Sequence, residues 1–327
     1  KAVLVNEDRS LRWDTVPDPT VGAEDCLVKI EAAALNRADL MQREGDYPPP
    51  PGCPDWMGLE IAGTIVQVGA AAAEKSHWQV GDRVCALLGG GGYAEYANVK
   101  YDMLMPVPAG CSMVEAAAMP EAFATAYLNL FREGGLQPGN TLLMQAGASG
   151  LASVVIPMAK AFGARVITTI IDEQKRTAVA ATGADIIVNT AQESLEAVLQ
   201  QQLAEGHPVD VTIDCLGGAG MGGCLPYLAH GARWIMIAAL AGRETQIDLK
   251  NIYVRNVRII GSTLRSRTPR KAEILAELVQ KVWPKVETGE IRPTIYRVLP
   301  ITEAEEAQAI LYRGENIGKV VLTVPQK

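Results

Sequence analysis

The chain lacks the paired cysteines and clustered histidines that structural zinc sites require. Its six cysteines are scattered singly without any Cys-x-x-Cys pair, and its three histidines lie far apart in the sequence. A zinc ribbon or finger is therefore not expected, and each cysteine is interpreted as a small buried hydrophobic residue. Unpaired thiols in a large chain are typical of a reducing compartment, so we expect a cytoplasmic protein.

Long apolar runs and an excess of positive charge are also missing. No run approaches the roughly 18 to 20 apolar residues that span a membrane, and no signal-peptide pattern opens the chain. The 30 lysine and arginine residues are outnumbered by 37 acidic ones, and the net charge of −7 argues against nucleic acid or an anionic membrane as a partner. What is present is core material, since 48% of the 327 residues are hydrophobic, which suffices for about two domains.

One stretch of the chain points to a nucleotide. An apolar strand over 141–144 breaks into a turn with the spacing Gly147-x-x-Gly150-x-Ala152, and a helix over 153–162 follows. Glycines let a backbone approach phosphates, and a helix N-terminus offers free N–H groups with a positive dipole end. The pattern is an eroded version of the full GxGxxG fingerprint, and an ordinary Gly/Ala-rich turn before a helix would have the same appearance.

The residues after this turn alternate between strand-like and helix-like segments. The β-branched apolar runs are typical of parallel strands that are buried on both faces, and the polar segments between them have helical spacing with glycine near their ends. Together they predict a doubly wound parallel sheet of the α/β class. The strands expected after the first one cover 165–171, 186–189, 209–214, 232–239 and 257–261.

The rest of the sequence has a different texture. Before about residue 120, short strands, among them one over 60–68, are separated by Pro- and Gly-rich loops, a pattern that favours a small, partly open β-barrel. Near the other end, a helix over 270–286 and a strand over 319–324 can complete that barrel. We therefore predict a discontinuous substrate domain, residues 1–120 plus 265–327, into which a nucleotide-binding domain, residues 121–264, is inserted.

Several short motifs are spread over the chain, and their combination is specific although each alone is not. The motifs are Ala34-Leu35-Asn36-Arg37-Ala38-Asp39-Leu40, Gly58-Leu59-Glu60, Gly81-Asp82-Arg83-Val84, Pro120-Glu121-Ala122-Phe123-Ala124-Thr125-Ala126, Leu264-Arg265-Ser266-Arg267 and Asn316-Ile317-Gly318-Lys319. On them, the chain resembles over essentially its whole length the zinc-free quinone oxidoreductases of the medium-chain dehydrogenase/reductase superfamily. It is most similar to the p53-inducible type, a relative of zeta-crystallin. The resemblance implies a Rossmann sheet inserted into a GroES-like domain, NADPH:quinone oxidoreductase activity and a homodimer.

The chain departs from the zinc alcohol dehydrogenases of the same superfamily at two positions. Where their catalytic zinc takes a cysteine, this chain has Asn36, and where they have a histidine before a glutamate, it has Leu59 before Glu60. Asparagine and leucine cannot hold Zn²⁺ in a tetrahedral N/S site. The resemblance therefore implies a reaction without zinc, in which Glu60 is either a salt-bridge partner or a functional group.

The resemblance places Asn36, Asp39 and Tyr47 in the substrate pocket as candidate catalytic residues. Asn36 and Asp39 are three residues apart on one helical turn, so both can face the nicotinamide and the quinone oxygen. The alternative is that Asn36 caps the helix and Asp39 is its first-turn charge. Tyr47 either donates its O–H to a carbonyl that gains negative charge or forms an amphipathic wall of the cleft.

The resemblance also implies a set of cofactor-binding residues. Thr125 would hydrogen-bond the nicotinamide amide, although a threonine that bonds its own helix would fit the sequence as well. The loop at 264–266 would close over the nicotinamide, and the turn after the first strand would hold the pyrophosphate. The full set is Thr125, Gly147, Ser149, Gly150, Leu151, Asp172, Lys175, Leu240, Leu264, Arg265 and Ser266.

The residues disagree about the choice of nucleotide. Asp172 lies about where an acid binds the ribose 2′-OH of NAD, and it would repel a 2′-phosphate. Lys175 matches the lysine that pairs with this phosphate in relatives, whereas Ile171 and Ala152 add bulk where relatives have smaller residues. NADPH without zinc is the expected cofactor, and NADH stays possible.

Two rival functions are compatible with the same fold. One is a reductase of enones, 2-alkenals or enoyl thioesters, and the other is a non-enzymatic protein whose nucleotide site has decayed. The expected partners are a small quinone or activated enone and a second copy of the chain. That copy would pair with the β-branched strand at 257–261, which would otherwise leave an open sheet edge.

Overall fold

The computed structural model describes residues 1–267 and 270–326. Its strands are β1 Ala2–Val5, β2 Leu11–Asp14, β3 Asp25–Ala34, β4 Glu60–Val68, β5 Arg83–Leu87, β6 Tyr96–Lys100, β7 Leu104–Pro106, β8 Thr141–Met144, β9 Arg165–Ile170, β10 Ile186–Asn189, β11 Val209–Asp214, β12 Leu228–Met236, β13 Arg258–Gly261, β14 Ile295–Pro300 and β15 Lys319–Thr323. Its helices are α1 Arg37–Glu44, α2 Ala70–Lys75, α3 Met113–Ala117, α4 Pro120–Tyr127, α5 Ala152–Ala161, α6 Arg176–Ala180, α7 Leu195–Ala204, α8 Gly220–Cys224, α9 Leu249–Arg255, α10 Lys271–Glu287 and α11 Ala304–Arg313. A π-helical segment, Leu128–Glu133, directly follows α4.

These elements belong to two units of the chain. The first unit comprises Lys1–Ala124, Thr268–Gly289 and Pro293–Lys327, and the second unit comprises Thr125–Arg267 and Glu290–Arg292. In the part of the chain that the structure describes, no helix combines the length and the apolar character that a membrane crossing requires.

The second unit is built on a six-stranded parallel sheet with the order β10-β9-β8-β11-β12-β13. The chain moves outward from β8 through β9 to β10 and then returns to the other side of β8 with β11. Parallel strands are covered on both faces by their crossovers, and β8 is accordingly buried along its whole length. The carboxyl ends of β8 and β11 flank the point where the strand order reverses, which is where doubly wound sheets bind ligands.

The fifth strand of this sheet differs from its predicted bounds. The sequence predicts a strand over 232–239, whereas β12 begins at Leu228 and ends at Met236. The pair His230–Gly231 interrupts the apolar pattern, so the sequence does not indicate that the strand begins before it. In the structure Gly231 takes a positive φ of 78°, and the pairing with β11 is irregular between Val209 and Val211. The residues predicted to end the strand instead form the loop after it.

The first unit contains a mainly antiparallel sheet with the order β14-β15-β3-β4-β5-β7, and β6 also pairs with β3. Only β14 and β15 run parallel among these pairs of the described strands. β3 alternates between buried and half-buried residues, so Cys26, Val28 and Ile30 point into one core. The predicted fold class, a doubly wound parallel sheet with a second β-rich domain of GroES-like type, is confirmed.

Candidate active site

The turn between β8 and α5 lies against the neighbouring strand β9. Gly147 donates its backbone N–H to Thr169 O at 2.7 Å, and a Cβ at position 147 would lie 2.4 Å from Thr168 Oγ1. The Thr168 hydroxyl is itself fixed, because it donates to Met144 O at 2.7 Å. The turn therefore leaves no room for a side chain at position 147.

Three backbone N–H groups of this turn are left for a ligand. Within the described residues, those of Ala148, Gly150 and Leu151 have no acceptor, and α5 begins after Leu151 without a side-chain cap. Ser149 Oγ accepts the N–H of Ala152 at 3.1 Å and can still donate its own proton. Free N–H groups at the start of a helix are the donors that a pyrophosphate takes. The residues present thus fit a dinucleotide.

The region after β9 carries charges of both signs. Asp172 is exposed and accepts the backbone N–H of the residue two positions later at 3.0 Å. Lys175 is half-buried, while the Arg176 guanidinium is paired with Glu173 and is not free to meet a ligand. Ile171 is 78% exposed, which is unusual for a large apolar side chain. The predicted roles of Asp172 and Lys175 toward a nucleotide ribose or 2′-phosphate stay predictions.

The loops after β12 and β13 hold the next group of predicted cofactor residues. Leu240 is 65% exposed, and its backbone N–H donates to Cys215 O at 3.1 Å, which ties this loop to the end of β11. Leu264 is buried, and the hydroxyls of Ser266 and Thr263 are hydrogen-bonded at 2.5 Å. Both loops follow the carboxyl ends of parallel strands, the edge of the sheet at which the β8–α5 turn also lies.

The loop after β13 is anchored to the π-helical segment. Arg267 pairs with Glu133 at 2.7 Å, and Arg265 is half-buried in the same loop. Asn129 donates its side-chain N–H to Thr125 O at 2.8 Å. A π-helical turn is rare and is found frequently at functional sites. The predicted roles of Thr125 and of residues 264–266 toward a nicotinamide stay predictions.

In the first unit, Asn36 just before α1, Glu60 of β4 and Lys319 of β15 form one polar cluster. Lys319 Nζ donates to Glu60 Oε1 at 2.5 Å and to Asn36 Oδ1 at 2.8 Å. Asn36 Nδ2 donates to the same Glu60 oxygen at 2.9 Å. The Lys319 side chain is 5% exposed and that of Glu60 is fully buried. A buried ion pair persists only when its remaining polar atoms are hydrogen-bonded, and the amide of Asn36 meets that requirement.

The Asp39 carboxylate supports this cluster from the first turn of α1. Its Oδ2 accepts the backbone N–H of Asn36 at 2.7 Å and the O–H of Tyr93 at 2.8 Å. Its Oδ1 accepts the backbone N–H of Gly58 at 3.3 Å. Burial raises the pKa of Asp39 to about 6 and also raises the pKa of Tyr93, which therefore keeps its proton and donates it. Asn36 precedes the helix and Asp39 is its first-turn acid, as the alternative interpretation expects, while the predicted catalytic roles of the two side chains stay predictions.

Glu121 contacts the cluster, and Tyr47 belongs to the same unit of the chain. The backbone N–H of Glu121 donates to Glu60 Oε2 at 2.9 Å. Burial, and then the negative charge of Glu60, raise the pKa of the Glu121 carboxyl to about 7. Tyr47 is half-buried in the Pro-rich segment after α1, and its role as a donor or as a wall stays a prediction.

Sequence reasoning missed Lys319 and Tyr93 and left Glu60 undecided. A usable signal existed for Lys319, because it is the only charged residue in an otherwise apolar strand, Lys-Val-Val-Leu-Thr. Lysine is almost never fully buried without a partner, so an inward-facing lysine predicts a buried carboxylate opposite it. No comparable signal marks Tyr93, which lies in the glycine-rich stretch before β6.

Within residues 1–267 and 270–326, no group of three or more His, Cys, Asp or Glu side chains is arranged to hold a metal ion. All six cysteines are free thiols. Burial raises the pKa of Cys85, Cys215 and Cys224 well above that of an ordinary thiol. These thiols are therefore protonated and fill core positions.

Comparison with known proteins gives two family matches along the chain. Residues 22–109 match the alcohol dehydrogenase GroES-like domain. Residues 150–281 match the family described as zinc-binding dehydrogenase. The first match lies within the first unit and includes Asn36 and Glu60, and most of the second match lies in the second unit.

Individual relatives cover the whole chain. A quinone oxidoreductase-like protein 2 homolog from Nematostella vectensis is 30% identical over 100% of this chain and 89% of its own length. The quinone oxidoreductase of Thermus thermophilus, solved also in complex with NADPH, is 30% identical with a TM-score of 0.81, covering 98% of this chain and 99% of its own. The CurK enoyl reductase shares the fold at 22% identity, with a TM-score of 0.83 and 99% coverage of both chains.

Proposed function

Because the chain belongs to the medium-chain dehydrogenase/reductase superfamily and is an NAD(P)H-dependent oxidoreductase, we propose that it is a zinc-independent NADPH:quinone oxidoreductase. The observation that carries the proposal is the cluster of Asn36, Glu60 and Lys319. A buried ammonium already neutralises Glu60 there, next to an asparagine in place of a thiolate ligand. The cluster offers a hydrogen-bond donor to a carbonyl oxygen without a metal.

A bound nicotinamide nucleotide would supply a hydride, that is two electrons and one proton, and water would supply the second proton of the hydroquinone. The second unit binds the nucleotide and orients it. The free N–H groups of Ala148, Gly150 and Leu151 hold the pyrophosphate, and the Ser149 hydroxyl adds a further donor. Thr125 and the loop at 264–266 hold the nicotinamide ring in one orientation.

The first unit stabilises the charge that develops on the acceptor. The amide of Asn36 donates an N–H to the quinone oxygen as negative charge grows on it, and Tyr47 can donate a second hydrogen bond. Asp39 fixes the backbone of Asn36 and does not need to touch the substrate, because its own oxygens accept three N–H or O–H groups within the unit.

For the nucleotide, the proposal is NADPH in preference to NADH. Lys175 is the residue that matches the phosphate-pairing lysine of the family that the chain resembles, and a lysine can pair with a 2′-phosphate. The Thermus thermophilus relative, which was solved with NADPH, supports this choice. Asp172 opposes this choice, because its negative charge would repel a 2′-phosphate. We therefore expect only a small difference in affinity between the two nucleotides.

The proposal also includes a homodimer through the edge of the second unit's sheet. β13 is the terminal strand of that sheet, and its Ile259 is 40% exposed. The helix α9 follows β12 in the chain. Three of its large apolar side chains are between 54% and 70% exposed, namely Leu249, Tyr253 and Val254. An apolar strand edge beside exposed large side chains is the surface that a second copy would cover.

The test is a fluorescence titration of the purified protein with NADPH and with NADH, beside turnover of 1,4-benzoquinone, a 2-alkenal and crotonyl-CoA, and a metal assay by mass spectrometry. Tighter binding of NADPH, fastest turnover of the quinone and less than stoichiometric zinc support the proposal. Fastest turnover of the alkenal or the thioester would replace the quinone by that substrate class. If neither nucleotide binds, the assignment as an enzyme is contradicted. If the protein holds one zinc per chain, the metal-free assignment is contradicted.

A further inference from the structure

The amide of Asn36 is held between a cation and an anion. Lys319 Nζ donates to Asn36 Oδ1 at 2.8 Å, and Asn36 Nδ2 donates to Glu60 Oε1 at 2.9 Å. The two charged groups are also paired with each other at 2.5 Å and are almost entirely removed from solvent. The amide therefore lies in a local field whose direction is fixed by two buried side chains.

This field decides which way the Asn36 amide points. The reversed orientation would place the amide N–H₂ against the Lys319 ammonium and the amide oxygen against the Glu60 carboxylate. That reversal exchanges two charge-assisted hydrogen bonds for two repulsive contacts in a poorly hydrated environment. Only one of the two orientations is therefore populated.

The ammonium itself has no donor left for a substrate. Its three N–H groups are taken by Glu60 Oε1, by Asn36 Oδ1 and by the backbone oxygen of Leu35, at 2.5, 2.8 and 2.7 Å. Glu60 is equally occupied, because its second oxygen accepts the backbone N–H of Glu121 at 2.9 Å. Neither charged residue can meet a substrate, so any effect on the reaction passes through Asn36.

Asn36 keeps one donor for a partner outside the chain. A side-chain amide has two N–H groups, and Glu60 accepts one of them; the other has no acceptor among residues 1–267 and 270–326. Asn36 is also half-exposed, unlike the two charged residues. A hydrogen bond from Lys319 to the amide oxygen draws electron density from the nitrogen, and so strengthens the remaining N–H as a donor.

We propose that Lys319 and Glu60 are positioning residues that fix and polarise the Asn36 amide, so that its free N–H donates to the oxygen of the electron-accepting carbonyl. The inference rests on the proposed function for the identity of that carbonyl compound. It assigns a role in the reaction to Lys319 and to Glu60.

The kinetic test removes both charges together, because loss of Lys319 alone would leave a buried, unpaired carboxylate that threatens folding. The double variant is K319M/E60Q, and the matched control is K75M/E24Q, which removes an exposed ion pair of the same unit. With 1,4-benzoquinone we expect kcat of K319M/E60Q to fall about 10- to 100-fold, while the Kd for NADPH measured by fluorescence is unchanged. The control should keep wild-type kcat.

The same variant in an N36A background separates positioning from a structural role. N36A alone should lose about 100-fold in kcat, and adding K319M/E60Q to it should cost nothing further, because both changes remove the same donor. A further loss of similar size in the N36A background would overturn the proposal, since the charges would then act without Asn36.

A measurement without turnover distinguishes failure of this inference from failure of the proposed function. In protein labelled with ¹⁵N-asparagine, the two Asn36 side-chain amide protons, identified by their loss in N36A, should differ in exchange rate with water. In K319M/E60Q the two rates should become similar. Equal rates in the wild type overturn the inference, whereas an absence of quinone turnover with unequal rates overturns the proposed substrate and leaves the fixed donor in place.

Discussion

Glu121 ties the stability of the protein to pH. Its pKa is about 7 in the folded protein, and the ordinary value of a glutamate is 4.5. Between these values the folded protein binds more protons than the unfolded chain does. The free energy of unfolding therefore falls as the pH rises through this window, and the contribution is constant above and below it.

Glu121→Gln removes this titration while it keeps the shape of the side chain. We expect the free energy of unfolding of the variant, relative to wild type, to rise by about 1 to 3 kcal/mol between pH 5 and pH 8. Urea denaturation at several pH values measures it. Asp39, whose pKa is also raised, is present in both proteins. A difference that does not change with pH would contradict the assignment.

In the proposed nucleotide site, Lys175 favours NADPH and Asp172 opposes it. Lys175→Ala should weaken NADPH binding by about tenfold, because it would remove the cation that we propose for the 2′-phosphate. Asp172→Ser should strengthen NADPH binding, because it removes a repulsive charge. Fluorescence titration measures both, with NADH as the internal control for Lys175→Ala. An equal loss for both nucleotides on Lys175→Ala would show that Lys175 does not face the 2′-position.

Among the elements, the β8–α5 turn is the most tightly constrained by its neighbour. Gly147→Ala places a methyl group 2.4 Å from Thr168 Oγ1, so the turn must move away from β9 and its three free N–H groups lose their alignment. We expect weaker binding of NADPH and a thermal midpoint lower by several degrees, about 1 to 3 kcal/mol of stability.

The compensating change is the control for this turn. Thr168→Ala removes the two side-chain atoms that the new methyl group meets first, so Gly147→Ala/Thr168→Ala should recover part of the lost affinity relative to Gly147→Ala. Calorimetry and fluorescence titration measure stability and affinity on the same samples. If the second change deepens the loss of NADPH affinity, the close approach to β9 is not what fixes the turn.

The elements differ in how far local sequence predicts them. β10, β11 and β4 have their predicted bounds, because each is rich in β-branched and apolar residues and lies between polar or glycine-containing turns. β12 does not, because its pairing with β11 outweighs the polar pair inside it. The resemblance identified Asn36, but no local pattern places Lys319 against it, since the two residues are 283 positions apart.

For the molecule as a whole, the open edge of the parallel sheet predicts its assembly. Ile259→Arg would place a charge that becomes buried when a second copy covers this edge, so the variant should be a monomer. Because position 259 is exposed in a single chain, we expect little change in the thermal midpoint of the chain itself. Sedimentation equilibrium over a range of concentrations measures the state. Val80→Arg, at an exposed apolar residue of the first unit, is the control and should stay dimeric.

The hydrogen bond between Lys319 and Asn36 has a consequence for biosynthesis. A ribosome delivers β3, α1 and β4 long before it delivers β15, and until then the carboxylate of Glu60 has no ammonium to face. The first unit therefore cannot complete its interior while most of the chain is being made, whereas the sheet of the second unit is continuous in sequence and can form as it emerges. Maturation of the polar cluster therefore has to wait for the translation of β15.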